Sequence, residues 1–197
     1  MARTLKYSKT RLQESARRGP FVDVLTEFFK HQQNPRAALL VAHGFIELLV
    51  NTLINARCKN ARTIAENERD FSHSAKLVLL HEIGAIDHDW YARLNLLRKI
   101  RNRAAHDPSF EVNNQDLTVY NLPKQILELE GGRPRFPASP AGRNQRFFAT
   151  VNFLLGDFWN MNSKIFSPVF GEEIAAQKST AAARSRRDKP DISGDPQ

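Results

Sequence analysis

The sequence has a single cysteine, Cys58, among its 197 residues. One thiol excludes an intramolecular disulfide framework and any zinc cage built from cysteines. No glycine-rich phosphate cradle and no nucleophile-elbow glycine motif occurs, which removes the two commonest routes to nucleotide hydrolysis and serine-hydrolase chemistry. No internal repeat and no alternating pattern of strand length is found. No apolar leader opens the chain, so the expected location is the reducing cytoplasm. An uninterrupted hydrophobic run is missing too. The most apolar stretch, 37–56, carries His43, Glu47, Asn51 and Asn55. A carboxylate at the middle of a bilayer costs ~2.5–3.5 kcal/mol, so this stretch reads as a buried helix of a globular protein, with no membrane partner.

Lys and Arg outnumber Asp and Glu, 29 to 21, giving a formal charge of +8. The excess is localised. Residues 1–20 hold six basic side chains against Glu14 alone, and 171–197 are balanced. In between, Arg93, Arg98, Lys99, Arg101 and Arg103 form a run without an acid. Concentrated basic charge suits a polyanion such as RNA, although a solvated helix face has the same composition.

Low apolar content at both ends predicts a disordered basic arm over 1–20 and a disordered tail over 171–197, flanking one domain at 21–170. The pattern inside that domain is helical. Phe21, Val24, Leu25 and Phe28 fall at helical spacing, giving a first helix of about three turns. Asn34-Pro35 is an N-cap followed by proline at the first helical position and starts a second helix that runs to about Arg57. Asn60 to Asp70 reads as a connection. Ser72 or Ser74 caps a third helix, which Gly84 stops. A fourth runs from Asp87 to Asp107-Pro108, where proline opposes continuation. Residues 109–144 read as a long loop, and Phe147 through Trp159 as a last long helix whose aromatics belong to the core. The expected fold is all-α, a compact bundle of about five helices.

The fourth helix carries the chemistry. At about 100° per residue, Arg101 falls among Trp90, Leu94 and Leu97 on the apolar face, with Arg98, Asn102 and His106 on its flank. A charge in that position must be paired or must face a polar cleft. Glu47 is the natural partner, since His43, Glu47, Asn51 and Asn55 recur every four residues as a polar stripe. The same stripe also suits the wet face of an amphipathic helix. His106 stands at the helix end, beside Pro108. A cation, an amide and a titratable imidazole therefore come within reach of one pocket.

The run Arg101-Asn102-Arg103-Ala104-Ala105-His106 resembles the Arg, Asn, three residues, His signature of HEPN domains, helical domains found in many prokaryotic RNases and toxin systems. The stretch from His43 to Asp107 also resembles the mannitol operon repressor family, through Phe45-Ile46-Glu47-Leu48-Leu49, Gly84-Ala85-Ile86 and Arg101 to Asp107. Together the resemblance covers roughly residues 21–165. The HEPN resemblance implies metal-independent RNA cleavage by attack of a ribose 2′-hydroxyl on the adjacent phosphate, in a composite site of two subunits. His106 would move the proton, Arg101 would meet the phosphorane charge, and Asn102 would orient the ring or donate to phosphate. Glu47 and Arg98 would support them.

This reading expects RNA and a second copy of the chain as partners, with an antitoxin or regulatory protein as a further one in a toxin or defence role. The alternative is a non-catalytic transcription regulator of the mannitol operon repressor type, acting through protein contacts. Direct DNA binding is disfavoured, because no compact helix-turn-helix with a polar recognition helix is evident. No cofactor is expected. His73 and His81 share a helix face near Asp87-His88-Asp89, but without a close His pair or cysteine cluster the expected metal set is none.

Overall fold

The structure, a computed structural model, describes residues 19–67 and 69–170. The expected arm and tail lie outside these residues, except that Gly19 and Pro20 already belong to the first helix. Residues 22–166 form one compact unit. Of a second unit built from the two chain ends, only 19–21 and 167–170 are described, and both pieces are helical.

The all-α class holds. Among the described residues the elements are α1 (Gly19–Lys30), α2 (Pro35–Arg57), α3 (Ala61–Glu66), α4 (His73–Glu82), α5 (His88–His106), a 3-10 turn (Asp116–Val119), α6 (Lys124–Leu127) and α7 (Pro140–Met161). The five expected helices are α1, α2, α4, α5 and α7. Two short helices and the 3-10 turn were hidden in stretches read as connections.

Side-chain caps set the starts. Asn34 Oδ1 accepts from the Ala37 amide at 3.1 Å, with Pro35 behind it. Ser72 Oγ accepts from Ala75, and Asp87 Oδ1 accepts from Trp90 at 2.8 Å. Each satisfies an amide that the first helical turn leaves without a partner. After α4, Gly84 adopts φ +67°, and the Ala85 and Ile86 amides both return to the Leu80 carbonyl. Only glycine takes that backbone without strain.

Helix α2 is the central element and packs against α3, α4, α5 and α7. Eleven of its residues are buried, from Ala38 to Ile54. It is the one described helix long and apolar enough to cross a membrane, and most of its apolar window is covered inside the bundle instead. Burying a Leu- or Ile-sized side chain contributes roughly 1.5–3 kcal/mol, so this helix dominates the core. Trp90 of α5 meets Phe158 of α7 at 5.1 Å between ring centroids, and Phe45 of α2 stacks on Trp159 at 6.0 Å. Phe147, Phe158 and Trp159 of α7 are core side chains, as the spacing predicts, while Phe153, expected in the core with them, is half-buried.

The segment 109–144 departs from the expected loop. Val112, Asp116, Leu117, Val119 and Leu122 are buried, and the 3-10 turn packs on both α5 and α7. Helix α7 begins at Pro140, with Ser139 capping Gly142. A Cβ on Gly142 would lie 2.1 Å from the Pro137 carbonyl oxygen, so this close approach requires glycine.

Candidate functional site

The buried face of α5 is Trp90, Leu94, Leu97, Ile100 and Ala104. Its centre lies about 40° from Arg101 around the helix, on the side away from Arg98. Ile100, which the sequence projection left out, pulls the face that way. Arg101 is therefore half-buried at the edge of the packed stripe, where the projection had set it in the middle. Its Nη1 donates to Asn102 Oδ1 at 3.2 Å. One turn earlier, Arg98 donates through Nε and Nη2 to Asn95 Oδ1 at 3.1 and 2.9 Å.

The end of α5 is firmly held. Arg36, in the first turn of α2, donates to the Ala105 carbonyl at 3.2 Å. Asp107 Oδ1 accepts from the Ser109 amide and hydroxyl at 2.9 and 2.6 Å, and these bonds keep its carboxyl below the usual range. Arg103 pairs with the buried carboxylate of Asp116, which also accepts from the Asn113 amide at 2.8 Å. Arg103 additionally lies over the Phe110 ring, 5.2 Å from its centroid. His106, the last residue of α5, is exposed.

A second group of polar side chains meets where α2, α4 and α5 pack. His43 is 3% exposed. Its Nδ1 is 3.7 Å from Glu47 Oε2 on the same helix, and His73 Nδ1, at the start of α4, is 3.8 Å from Glu47 Oε1. The two imidazole rings are 4.9 Å apart. Burial pushes the pKa of His43 down to about 4, helped by the charges of Arg101 and then Arg98. His73 falls to about 3, again mainly by burial, with further contributions from His43, Arg98, Lys76 and Arg101. Both rings are neutral at pH 7. Nearby, buried Lys76 donates to Asn51 Oδ1 at 3.0 Å and to the Ala65 carbonyl at 2.9 Å, two acceptors that offset the cost of taking an ammonium out of water.

No family model, curated protein or solved structure matches the chain.

The structure thus brings Arg98, Arg101, Glu47 and His43 into one neighbourhood and adds His73 and Lys76. His106 stands apart from them, five residues beyond Arg101 at the exposed end of α5. The polar stripe divides in two. His43, Glu47 and Asn51 face this cluster, while Asn55 is exposed to solvent. His73 and His81 do not act together, since His81 instead lies against Tyr91 and His88. The clue to His73 in the sequence was its place directly after the Ser72 cap, which puts it at a helix start. What that helix start meets is decided by tertiary packing.

Proposed function

We propose that the chain is a HEPN-like endoribonuclease that cleaves RNA without a metal ion, as a homodimer. The observation carrying this reading is on α5. Arg101 and Asn102 are hydrogen-bonded to each other on a half-exposed flank, and His106 is exposed on the same rigid helix. An accessible imidazole can take the proton of a ribose 2′-hydroxyl as its oxygen bonds to phosphorus. The 5′-oxygen then leaves and accepts a proton from the imidazolium of the second subunit, giving a 2′,3′-cyclic phosphate and a 5′-hydroxyl end. Arg101 presents a two-pronged cation to the phosphorane, and Asn102 fixes the orientation of that fork. Arg98 adds positive charge one turn away, and Glu47 belongs to the neighbouring α2 face. On this reading the activity belongs to the cytoplasm, in a toxin or defence setting where a protein partner restrains it.

The test is incubation of the purified chain with mixed RNA in excess chelator. Cleavage to cyclic-phosphate ends that disappears in His106→Ala supports the enzyme. Full activity in a folded His106→Ala protein overturns it and leaves the non-catalytic regulator, working through protein contacts, as the better account.

A further inference from the structure

The cluster between α2 and α4 has a chemistry that the ribonuclease reading does not use. Two neutral imidazoles and a carboxylate converge there, and their potential donor atoms all lie within 4.8 Å of one another. The rings are poorly satisfied. The Nε2 atoms of His43 and His73 are both buried without a hydrogen-bond partner. Their Nδ1 atoms stand 3.7 and 3.8 Å from the Glu47 carboxylate, too far for a hydrogen bond. Native interiors rarely leave buried polar atoms unpaired, so neither ring is locked by hydrogen bonds, and both Nδ1 atoms face the Glu47 carboxylate with no bond of their own to give up.

We propose that His43, Glu47 and His73 form a binding site for a borderline divalent cation, with zinc the best match. Two donors sharing a tetrahedral zinc at ~2.1 Å stand about 3.4 Å apart. The two imidazoles lie 3.7 and 3.8 Å from different Glu47 oxygens, and the whole donor set, within 4.8 Å, closes on a cation by side-chain movements of up to about 1.4 Å. His43 and Glu47 lie four residues apart on α2, which puts both on one helix face. His73 arrives from the first residue of α4 and is fixed there by the Ser72 cap. Two imidazoles and one carboxylate are the donor set of zinc sites that keep a coordination position open. The imidazoles are already in the neutral form that a metal requires. Glu47 is 43% exposed, so the cluster is reached from solvent on that side. Arg98, Arg101 and Lys76 repel the cation and weaken its binding, but they favour an anion such as inorganic phosphate at the open position.

The site uses none of Arg101, Asn102 and His106 as ligands, so it stands or falls separately from the ribonuclease reading. The full chain, stripped with chelator and dialysed, is titrated with Zn²⁺ by calorimetry and with Co²⁺ by visible absorption. The expected result is one equivalent per chain, a tetrahedral cobalt spectrum and a rise in melting temperature with zinc. Glu47→Gln, at a partly exposed position, should fold normally and bind at least about tenfold more weakly. His73→Asn should abolish the cobalt spectrum, while His81→Ala should leave it unchanged. Stoichiometric binding that is equal in the wild type, Glu47→Gln and His73→Asn overturns the assignment, as does absence of binding by the folded wild type at micromolar zinc. Chelator-resistant RNA cleavage is read in the wild type and in His73→Asn, whose altered residue has no part in the ribonuclease reading, so that the two readings fail separately.

Discussion

His43 and His106 share an imidazole and little else. His106 sits at the end of α5, where each neighbouring polar group has found a partner: Arg36 with the Ala105 carbonyl, Asp107 with Ser109, Arg103 with Asp116. His43 sits inside the bundle with a ring nitrogen that has none. The comparison teaches that a protein can spend its hydrogen bonds on fixing one site while leaving another unsatisfied. The exposed histidine is open to whatever approaches from solvent. The buried one, held neutral, is suited to being a ligand.

Acid breaks this comparison most strongly. In the unfolded chain both buried rings protonate near 6.5, but in the fold only near 4 and near 3. Between those values the unfolded state binds protons that the folded state does not, so stability falls as the pH falls. The loss is on the order of 1.4 kcal/mol per pH unit for each ring and levels off below the folded pKa values. The groups facing the rings are Glu47, Arg98, Arg101 and Lys76. Urea unfolding of chelator-treated protein at pH 7 and pH 5 should show the slope, and His43→Asn and His73→Asn should each flatten it. An equally steep slope in both variants would place the acid sensitivity elsewhere.

The Arg103–Asp116 pair comes next. Asp116→Ala strands the Asn113 amide and removes the anchor of the α5 end. Arg103 is 37% exposed, so the full penalty of about 3–5 kcal/mol for breaking a buried pair is reduced to roughly 2–3 kcal/mol. Chemical denaturation measures it, and a loss under about 0.5 kcal/mol would show that the α5 end does not depend on this contact.

Arg101→Ala and His106→Ala give the smallest effects on the fold. Arg101 is half-buried with a single neighbour bond, so its removal should cost about 0.5–1.5 kcal/mol. His106→Ala should cost ~0.3–1 kcal/mol through the helix dipole. Both should abolish RNA cleavage while leaving the protein folded. A large stability loss in Arg101→Ala would mean that its charge is paired more deeply than the Asn102 contact indicates.

The helix starts were the most legible part of the sequence. Asn34, Ser72 and Asp87 each act as the cap that their position predicts, because capping is a local contact between a side chain and an amide three residues on. Ser139-Pro140 carries the same signal as Asn34-Pro35, but neighbouring prolines and glycines masked it as loop. The burial of Val112, Leu117, Val119 and Leu122 had no period to reveal it, since these residues reach the core from short turns. On α5 the helical projection found Trp90, Leu94 and Leu97 but left out Ile100, and so centred the buried face too close to Arg101. The meeting of His73 with His43 depends on how α4 returns to α2, and no local pattern encodes that.

The bond from Arg36 to the Ala105 carbonyl joins the first turn of α2 to the last turn of α5. A helix terminus ordinarily frays, and a residue on it samples many backbone states. Here the carbonyl just before His106 is clamped from a second helix, and Asp107 is locked into its turn with Ser109. The remaining freedom of the imidazole is rotation about its own two side-chain torsions. The His106 ring turns like a hand on a fixed wrist, over nanoseconds, on a backbone whose own conformational entropy was already lost in folding.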